Sequence, residues 1–380
     1  MNLDELRVQI DDIDRQMVDL FVRRMEVCEQ IGRYKKEHNL PTGDSRRERD
    51  KLVEVSGLAP EELGTYVRSL YAQLFELSRS WQDRIILEPS PLCARIETAL
   101  RDTPAVFPAM GTIACQGVEG SYSQQAAERL FSAPSILFFH TFESVFSAID
   151  SGLCDYGVLP LENSTAGSVN QIYDLMMRYR FHIVRSVRLK VDHSLLALPG
   201  ARLEDIREVF SHEQAIAQCA GFFKAHPEIH ATVCPNTAAA AQMVAQSGRT
   251  DAAALASSVC AKVYGLKTLA SGVQDQGNNF TRFICISKTM RIFPGADRTS
   301  VMLTTPHRPG SLFRVLSRIN ALGINLTKLE SRPLPDRNFE FMFYFDLETP
   351  VYSPQLIQLI SELDHQCDSF AYLGSYSEVV

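Results

Sequence analysis

Near its start the chain repeats apolar residues at three-and-four spacing: Leu6, Ile10, Ile13, Met17, Leu20, Val27 and Ile31. That is the seam of a long amphipathic helix. Arg24 takes the next seam position after Leu20, where another aliphatic side chain is due. Lys35 follows, only ~20° round the helix from Arg24. Two cations on a buried face need anionic partners, either carboxylates of the protein or a small dianion. Pro41-Thr42-Gly43 ends this helix, a shorter one begins near Asp44, and a third helical stretch runs from about Glu61 to Ile86. Residues 1–88 therefore form an all-helical domain. The proline-bearing segment 89–111 is a linker with room for a short helix.

From Thr112 the pattern changes to short apolar or β-branched runs (IACQG, GVLPLEN, HIVRSVRLKV, EVFSH, TVCPN, RFICIS) separated by helical stretches such as QQAAERLF and TAAAAQMVAQ. This alternation predicts an α/β domain over 112–288, long enough for two lobes with a cleft between them. Residues 298–380 read strand, helix, two strands, helix, strand, the α+β order of a ferredoxin-like unit.

Composition narrows the function classes. With 380 residues the chain is multidomain. A net charge of −7 argues against nucleic-acid binding. No apolar run approaches the ~20 residues of a membrane helix. The start, MNLDELRVQIDDID, is acidic and amphipathic, unlike a secretory signal or transit peptide. Nine cysteines without CxxC pairs read as reduced thiols, hence a cytoplasmic protein. No metal or cofactor site is visible.

In the helical region Asp44, Arg47 and Glu48 fall at i, i+3, i+4, and Ser78 and Gln82 at i, i+4. Arg7 lies roughly a quarter turn away from the Arg24/Lys35 face. On spacing alone these charges also suit the solvated faces of a helical dimerisation module. Arg7, Arg24, Lys35, Asp44, Arg47, Glu48, Ser78 and Gln82, with the RRERD stretch at 46–50, resemble the all-helical chorismate mutase family. The resemblance implies an intertwined dimer in which Arg7 reaches the partner subunit's site. It implies that Arg7 and Arg24 bind substrate carboxylates and that Lys35 and Gln82 donate to the ether oxygen. Arg47 would then support the carboxylate end, Glu48 the substrate hydroxyl and Ser78 the second carboxylate. Asp44 would act on substrate or orient Arg47. The pericyclic conversion of chorismate to prephenate needs no nucleophile or cofactor, only a gripped conformer and donors where charge builds.

The segments GVEGSYS, VLPLENSTAGSV and NNFTRF resemble prephenate dehydratase over 112–288. Singly, GVEGSYS reads as N-capping by Ser121 or Ser123. The family fold is two-lobed α/β, like the periplasmic binding proteins. It implies Thr281 at the reacting hydroxyl, with Asn163, Ser211 and Gln218 lining the site and Glu162, Thr165 and Ser168 as further cleft candidates. In a strand Arg282 points opposite to Thr281 and Phe283, so one of them faces away from the cleft, and ligand and structural roles for Arg282 both stand. His193 and His212 fit capping or packing better than catalysis.

The last segment resembles an ACT domain of the phenylalanine-sensing kind. PGSLFRVL sets Gly310, Ser311 and Leu312 at a helix start, and LESRP sets Glu330, Ser331 and Arg332 at a strand end. Ser311 and Phe313 depart from the usual Gly-Ala-Leu-Val and narrow the effector pocket. Together these resemblances imply a bifunctional chorismate mutase–prephenate dehydratase, expected to be a homodimer or higher homo-oligomer controlled by L-phenylalanine. Two rivals are a dehydratase preferring arogenate and a non-catalytic amino-acid-binding regulatory protein.

Overall fold

The computed structural model describes residues 2–88, 90–308, 310–334 and 340–380. Pro309, which opens the PGSLFRVL motif, and Phe339, the first residue of an expected strand, lie outside them. The chain divides into two compact units, one of residues 1–95 and 303–370, the other of 96–302 and 371–380.

Helices α1 (Leu3–Glu37), α2 (Ser45–Leu58), α3 (Gly64–Ile86) and α4 (Pro91–Asp102) come first. The first helix opens on a capping box, Asn2 with Glu5, and closes with Lys35 and Lys36 in its last turn. Asp44 caps α2 by accepting from the amides of Arg46 and Arg47. It therefore precedes the helix instead of sharing a helical face with Arg47 and Glu48. The short helix allowed for in the linker is α4.

One expectation fails within the single chain: the α1 seam is not buried. Ile10, Met17 and Leu20 are 56%, 51% and 61% exposed. Burial on α1 begins only near Arg24, because that is where α3 lies alongside it. At Gly32 an added Cβ would stand 3.3 Å from Ile85, so the close approach of α1 and α3 depends on a missing side chain there.

The α/β region contains β1 (Met110–Gln116), α5 (Tyr122–Leu130), β2 (Ala133–Phe139), α6 (Phe142–Asp150), β3 (Tyr156–Asn163), β4 (Gly167–Ser168), α7 (Asn170–Tyr179) and β5 (His182–Lys190). There follow β6 (Ser194–Ala197), β7 (Glu208–Ser211), α8 (Glu213–Gln218), α9 (Ala220–Ala225), β8 (His230–Val233), α10 (Thr237–Ser247), β9 (Ala252–Ala256), α11 (Val259–Tyr264), β10 (Lys267–Ser271) and β11 (Phe280–Ser287). The chain ends with β12 (Arg298–Thr304), α12 (Ser311–Ala321), β13 (Asn325–Pro333), β14 (Phe341–Glu348), α13 (Pro354–Gln366), β15 (Ser369–Tyr376) and β16 (Glu378–Val379).

Two sheets make the two lobes. The first has seven strands, ordered β16-β5-β11-β3-β1-β2 with β4 on β3; the second has five, ordered β10-β6-β9-β7-β8. The chain leaves the first lobe after β5 and returns with β11, which lies antiparallel between β3 and β5. Apolar clusters fill each lobe, around Ile113, Val158 and Phe283 in the first and around Leu196, Ala241 and Ala254 in the second. The strands of the C-terminal βαββαβ segment form a four-stranded sheet, ordered β13-β14-β12-β15.

Candidate functional site

In the helical bundle, residues far apart in sequence meet between α1 and α3. Arg24 donates to the Ser78 hydroxyl and stacks over the Phe75 ring at 5.9 Å. Lys35 donates to Gln82 Oε1 at 3.1 Å and to the Thr42 carbonyl at 2.5 Å. Ser78 and Gln82 are buried, so both cations face polar groups in a partly dry groove. Burial pushes the Lys35 ammonium below its ordinary range, while Asp44, Glu48 and Asp83 pull it back up. Asp44 is held low, first by the Arg47 amide that donates to its carboxylate.

Glu48 reaches the same region through an ion pair with Arg79, which also binds Glu76. Sequence reasoning missed Arg79; its Glu76 partner at i−3 was the available signal. Arg47 stays exposed. Arg7 does not join the cluster. It pairs with Asp4 at 3.2 Å on the exposed end of α1, about 25 Å along the axis from Arg24.

The second constellation lies in the cleft between the two sheets, a cavity of about 360 Å³. Thr281 and Phe283 project into it from β11. Asn163 Nδ2 donates to Thr281 Oγ1 at 2.8 Å and to Asn279 Oδ1 at 2.7 Å. The Asn279 amide donates onward to Gln218 Oε1 at 3.0 Å, and Gln218 donates to Thr165 at 2.9 Å. Because the Thr281 oxygen accepts from Asn163, its own proton can be offered to a ligand. His193 is buried with Nε2 3.2 Å from Gln218 Oε1, and burial holds its pKa below the usual imidazole value. Since that oxygen is an acceptor, the neutral ring carries its proton on Nε2.

Two helices of the cleft wall start at the cavity. Ser121 caps α5 by accepting from the Gln124 amide, as the capping reading expects, and Asn236 caps α10 in the same way. Their first turns therefore offer positive dipole ends to an anion. The loop before α5 turns at Gly120, whose φ of +85° and Cβ position 2.8 Å from Cys260 Sγ admit no side chain. Among the described residues lining the cavity there is no Arg, Lys, Asp or Glu.

Three cleft assignments change. Arg282 points away from the cavity and is buried: it donates to Glu162 at 3.0 Å and to the Tyr376 hydroxyl at 2.6 Å, with Glu378 3.7 Å away. Strand alternation sends it to the face opposite Thr281, so its role is structural. Glu162 goes with it. Ser211 is wholly buried, its hydroxyl donating to the Leu255 carbonyl at 2.7 Å. Ser168 does line the cleft, and Thr165 is tied to Asn163 and Gln218. His212 caps α8. Asn279, inside the NNFTRF motif, is a site residue that reading single positions overlooked.

In the C-terminal segment Gly310 caps α12 at φ +82°, Ser311 is buried and Leu312 half-buried. Glu330, Ser331 and Arg332 lie on β13, opposite Tyr344, Phe343 and Met342 of β14.

Comparison with known proteins agrees with this geometry. Residues 113–291 match the family described as prephenate dehydratase, and residues 6–83 the family described as chorismate mutase type II. The arogenate dehydratase/prephenate dehydratase 2, chloroplastic, of Arabidopsis thaliana is 36% identical over 311 residues, covering 78% of this chain and 81% of that protein. Arogenate dehydratase 2 of Petunia hybrida is 35% identical, covering 76% of this chain and 77% of its own. Among solved structures, prephenate dehydratase from Arthrobacter aurescens in complex with L-Phe superposes with a TM-score of 0.65 at 26% identity, over 70% of this chain and 89% of that one. A protein described as a novel type of quorum quenching acylase gives the same TM-score at 31% identity, over 70% of this chain and 98% of that one.

Proposed function

The chain belongs to the prephenate dehydratase family and carries a chorismate mutase type II domain, and we propose that L-phenylalanine controls these two activities through the C-terminal module. It is an enzyme that rearranges chorismate to prephenate and converts prephenate to phenylpyruvate, CO2 and water. The observation that carries the chemistry is the Asn163–Thr281 hydrogen bond, which leaves a hydroxyl proton directed at the substrate.

In the bundle, Arg24 and Ser78 form the anion-holding end, while Lys35 and Gln82 meet where the breaking C–O bond gathers charge. Arg7 and Arg47 are assigned to carboxylates and Glu48 to the substrate hydroxyl. The exposed α1 seam supports a homodimer that would bring Arg7 of one copy to the groove of another. In the cleft, Thr281 donates to the departing ring hydroxyl and the helix ends of α5 and α10 receive a carboxylate. The threonine assists by hydrogen bonding, since its own pKa is far too high to release a whole proton.

The C-terminal module is assigned as an ACT domain, on its βαββαβ order and sheet order. Gly310, Ser311, Leu312, Glu330, Ser331 and Arg332 are assigned to the effector. The L-Phe bound to the Arthrobacter relative supports that choice. The edge position of β13 leaves a strand on which a second module can pair. None of the nine cysteines, all among the described residues, forms a disulfide, which supports a reducing compartment; we assign the cytoplasm, although the Arabidopsis relative is chloroplastic by name.

Arogenate is the competing dehydratase substrate, given the relatives' names. A cleft wall without Asp or Glu among its described residues favours the keto acid over its ammonium-bearing analogue. Following chorismate loss and phenylpyruvate appearance, with prephenate and arogenate compared at equal concentration, tests the assignment. A larger kcat/KM for arogenate would reverse the preference. Initial rates unmoved by millimolar phenylalanine would remove the control.

A further inference from the structure

Asp83 follows Gln82 on α3, about 100° round the helix, and is buried. Its Oδ1 accepts from the Thr42 hydroxyl at 2.8 Å. The carbonyl of the same Thr42 receives the Lys35 ammonium. The second oxygen, Oδ2, accepts from Arg318 at 2.8 Å and from Gln366 at 2.8 Å. Arg318, on α12, is itself buried and donates to the Glu76 carbonyl at 3.0 Å, with Nε 3.1 Å from Glu362 on α13. Glu362 accepts in turn from Ser80 on α3. Among the described residues this is a continuous polar path from the C-terminal module to the mutase ammonium.

We propose that Asp83 is a positioning residue of the mutase site, which sets the 41–43 turn and through it Lys35, and that Arg318 of the C-terminal module holds Asp83 in place. The inference rests on the mutase assignment of the bundle. The geometry makes the Thr42 residue a two-ended link: its side chain is fixed by Asp83 while its backbone carbonyl fixes the lysine. A buried ion cluster adds little net stability over an apolar replacement; what it supplies is a fixed arrangement, here of the turn that holds Lys35. The charged and titratable groups acting on Lys35 are Asp44 and Glu48 from the α2 side, Asp83 on α3 and Cys28 on α1. Asp83 therefore acts on Lys35 in two ways, by position and by charge.

The test uses the full-length chain and three variants: Asp83→Asn, Thr42→Val, which deletes only the hydroxyl, and Arg318→Lys, which keeps the charge but cannot serve Asp83, Glu362 and the Glu76 carbonyl together. Chorismate turnover is measured across pH, with prephenate turnover on the same samples as a check that each variant folds. Asp83→Asn is expected to lower mutase kcat ~10-fold with KM nearly unchanged, as for a displaced transition-state donor. It should also move the alkaline limb of the mutase profile to lower pH, because one of the charges supporting Lys35 is gone. Thr42→Val and Arg318→Lys should lower kcat by about threefold. A mutase profile and kcat equal to the parent's in both Asp83→Asn and Thr42→Val, with dehydratase intact, would overturn the proposal. A response to Asp83→Asn but none to Arg318→Lys would remove the module from it. If the parent chain itself fails to turn over chorismate, the mutase assignment falls instead.

Discussion

Chorismate and prephenate are isomers carrying the same two carboxylates, yet the two sites proposed to receive them are built oppositely. On the proposed assignment the helical bundle meets its dianion with Arg24 and Lys35, each donating to a neutral acceptor, Ser78 and Gln82. The cleft has no charged side chain among the described residues lining it, only amides, hydroxyls, imidazoles and helix ends. The reactions explain the contrast. The mutase keeps both negative charges from substrate to product, so strong ion pairing helps throughout. The dehydratase must let one carboxylate depart as neutral CO2, and a cation bound to it would stabilise the ground state against that loss. Neutral dipoles hold without trapping.

Single substitutions break the comparison most sharply. Lys35→Ala is expected to lower mutase kcat by ~10²–10³, and Thr281→Ala to do the same to the dehydratase, each sparing the other reaction. Assays of both reactions on each purified variant check this. A change that silenced both in folded protein would dissolve the division of labour. Within the cleft, Asn279→Ala removes one of the two links between Asn163 and Gln218, leaving the one through Thr165, and should lower dehydratase kcat ~10-fold, read by the same assay. Arg282→Ala should act on stability, destabilising the α/β region by about 3 kcal/mol in denaturant unfolding, because Glu378 and Glu162 lose a buried partner. A cleft role for Arg282 would show instead as lost kcat in stable protein.

Solution conditions give the smaller effects. On the proposed assignment the mutase must keep Lys35 protonated, and burial lowers that lysine's pKa. Its activity is therefore fully present below that lowered value and is lost as pH rises through it, before an ordinary lysine would titrate. The Thr281 network has no comparable group, so the dehydratase profile should stay flatter there. Raising salt from 0.1 to 0.5 M should raise KM for chorismate about twofold and leave KM for prephenate closer to its starting value.

The legibility of the chain follows the same division. Helix α1 and the shared face of Arg24 and Lys35 were readable because a single helical period carries them, whereas their meeting with Ser78 and Gln82 on α3 lay beyond any spacing rule. The βαββαβ order was readable from alternation and turn residues. Strand β9 was not: its AAALA run is fully buried, but alanine carries no β signature and both faces are covered, so no alternation shows. Ser211 was misplaced because a motif fixes its position at a strand end but not which face of the sheet its hydroxyl takes. Asp83 and Arg318 escaped entirely, since their pairing spans 235 positions and no spacing rule reaches that far. The seam of α1 was legible as a seam, but not as one that the chain's own described helices leave exposed.

The last strand has a consequence for how the protein is made. Arg188, Arg282 and Arg298 all converge on Glu378, which β16 brings back to the edge of the sheet beside β5. Glu378 follows all three arginines in sequence, so its carboxylate emerges from the ribosome after they do. Until then these guanidinium groups, one of them directly behind Thr281, lack this counter-ion, and the sheet has an open border. Maturation of the dehydratase half thus waits on β16, and a chain ending before Glu378 should be readily cut by protease.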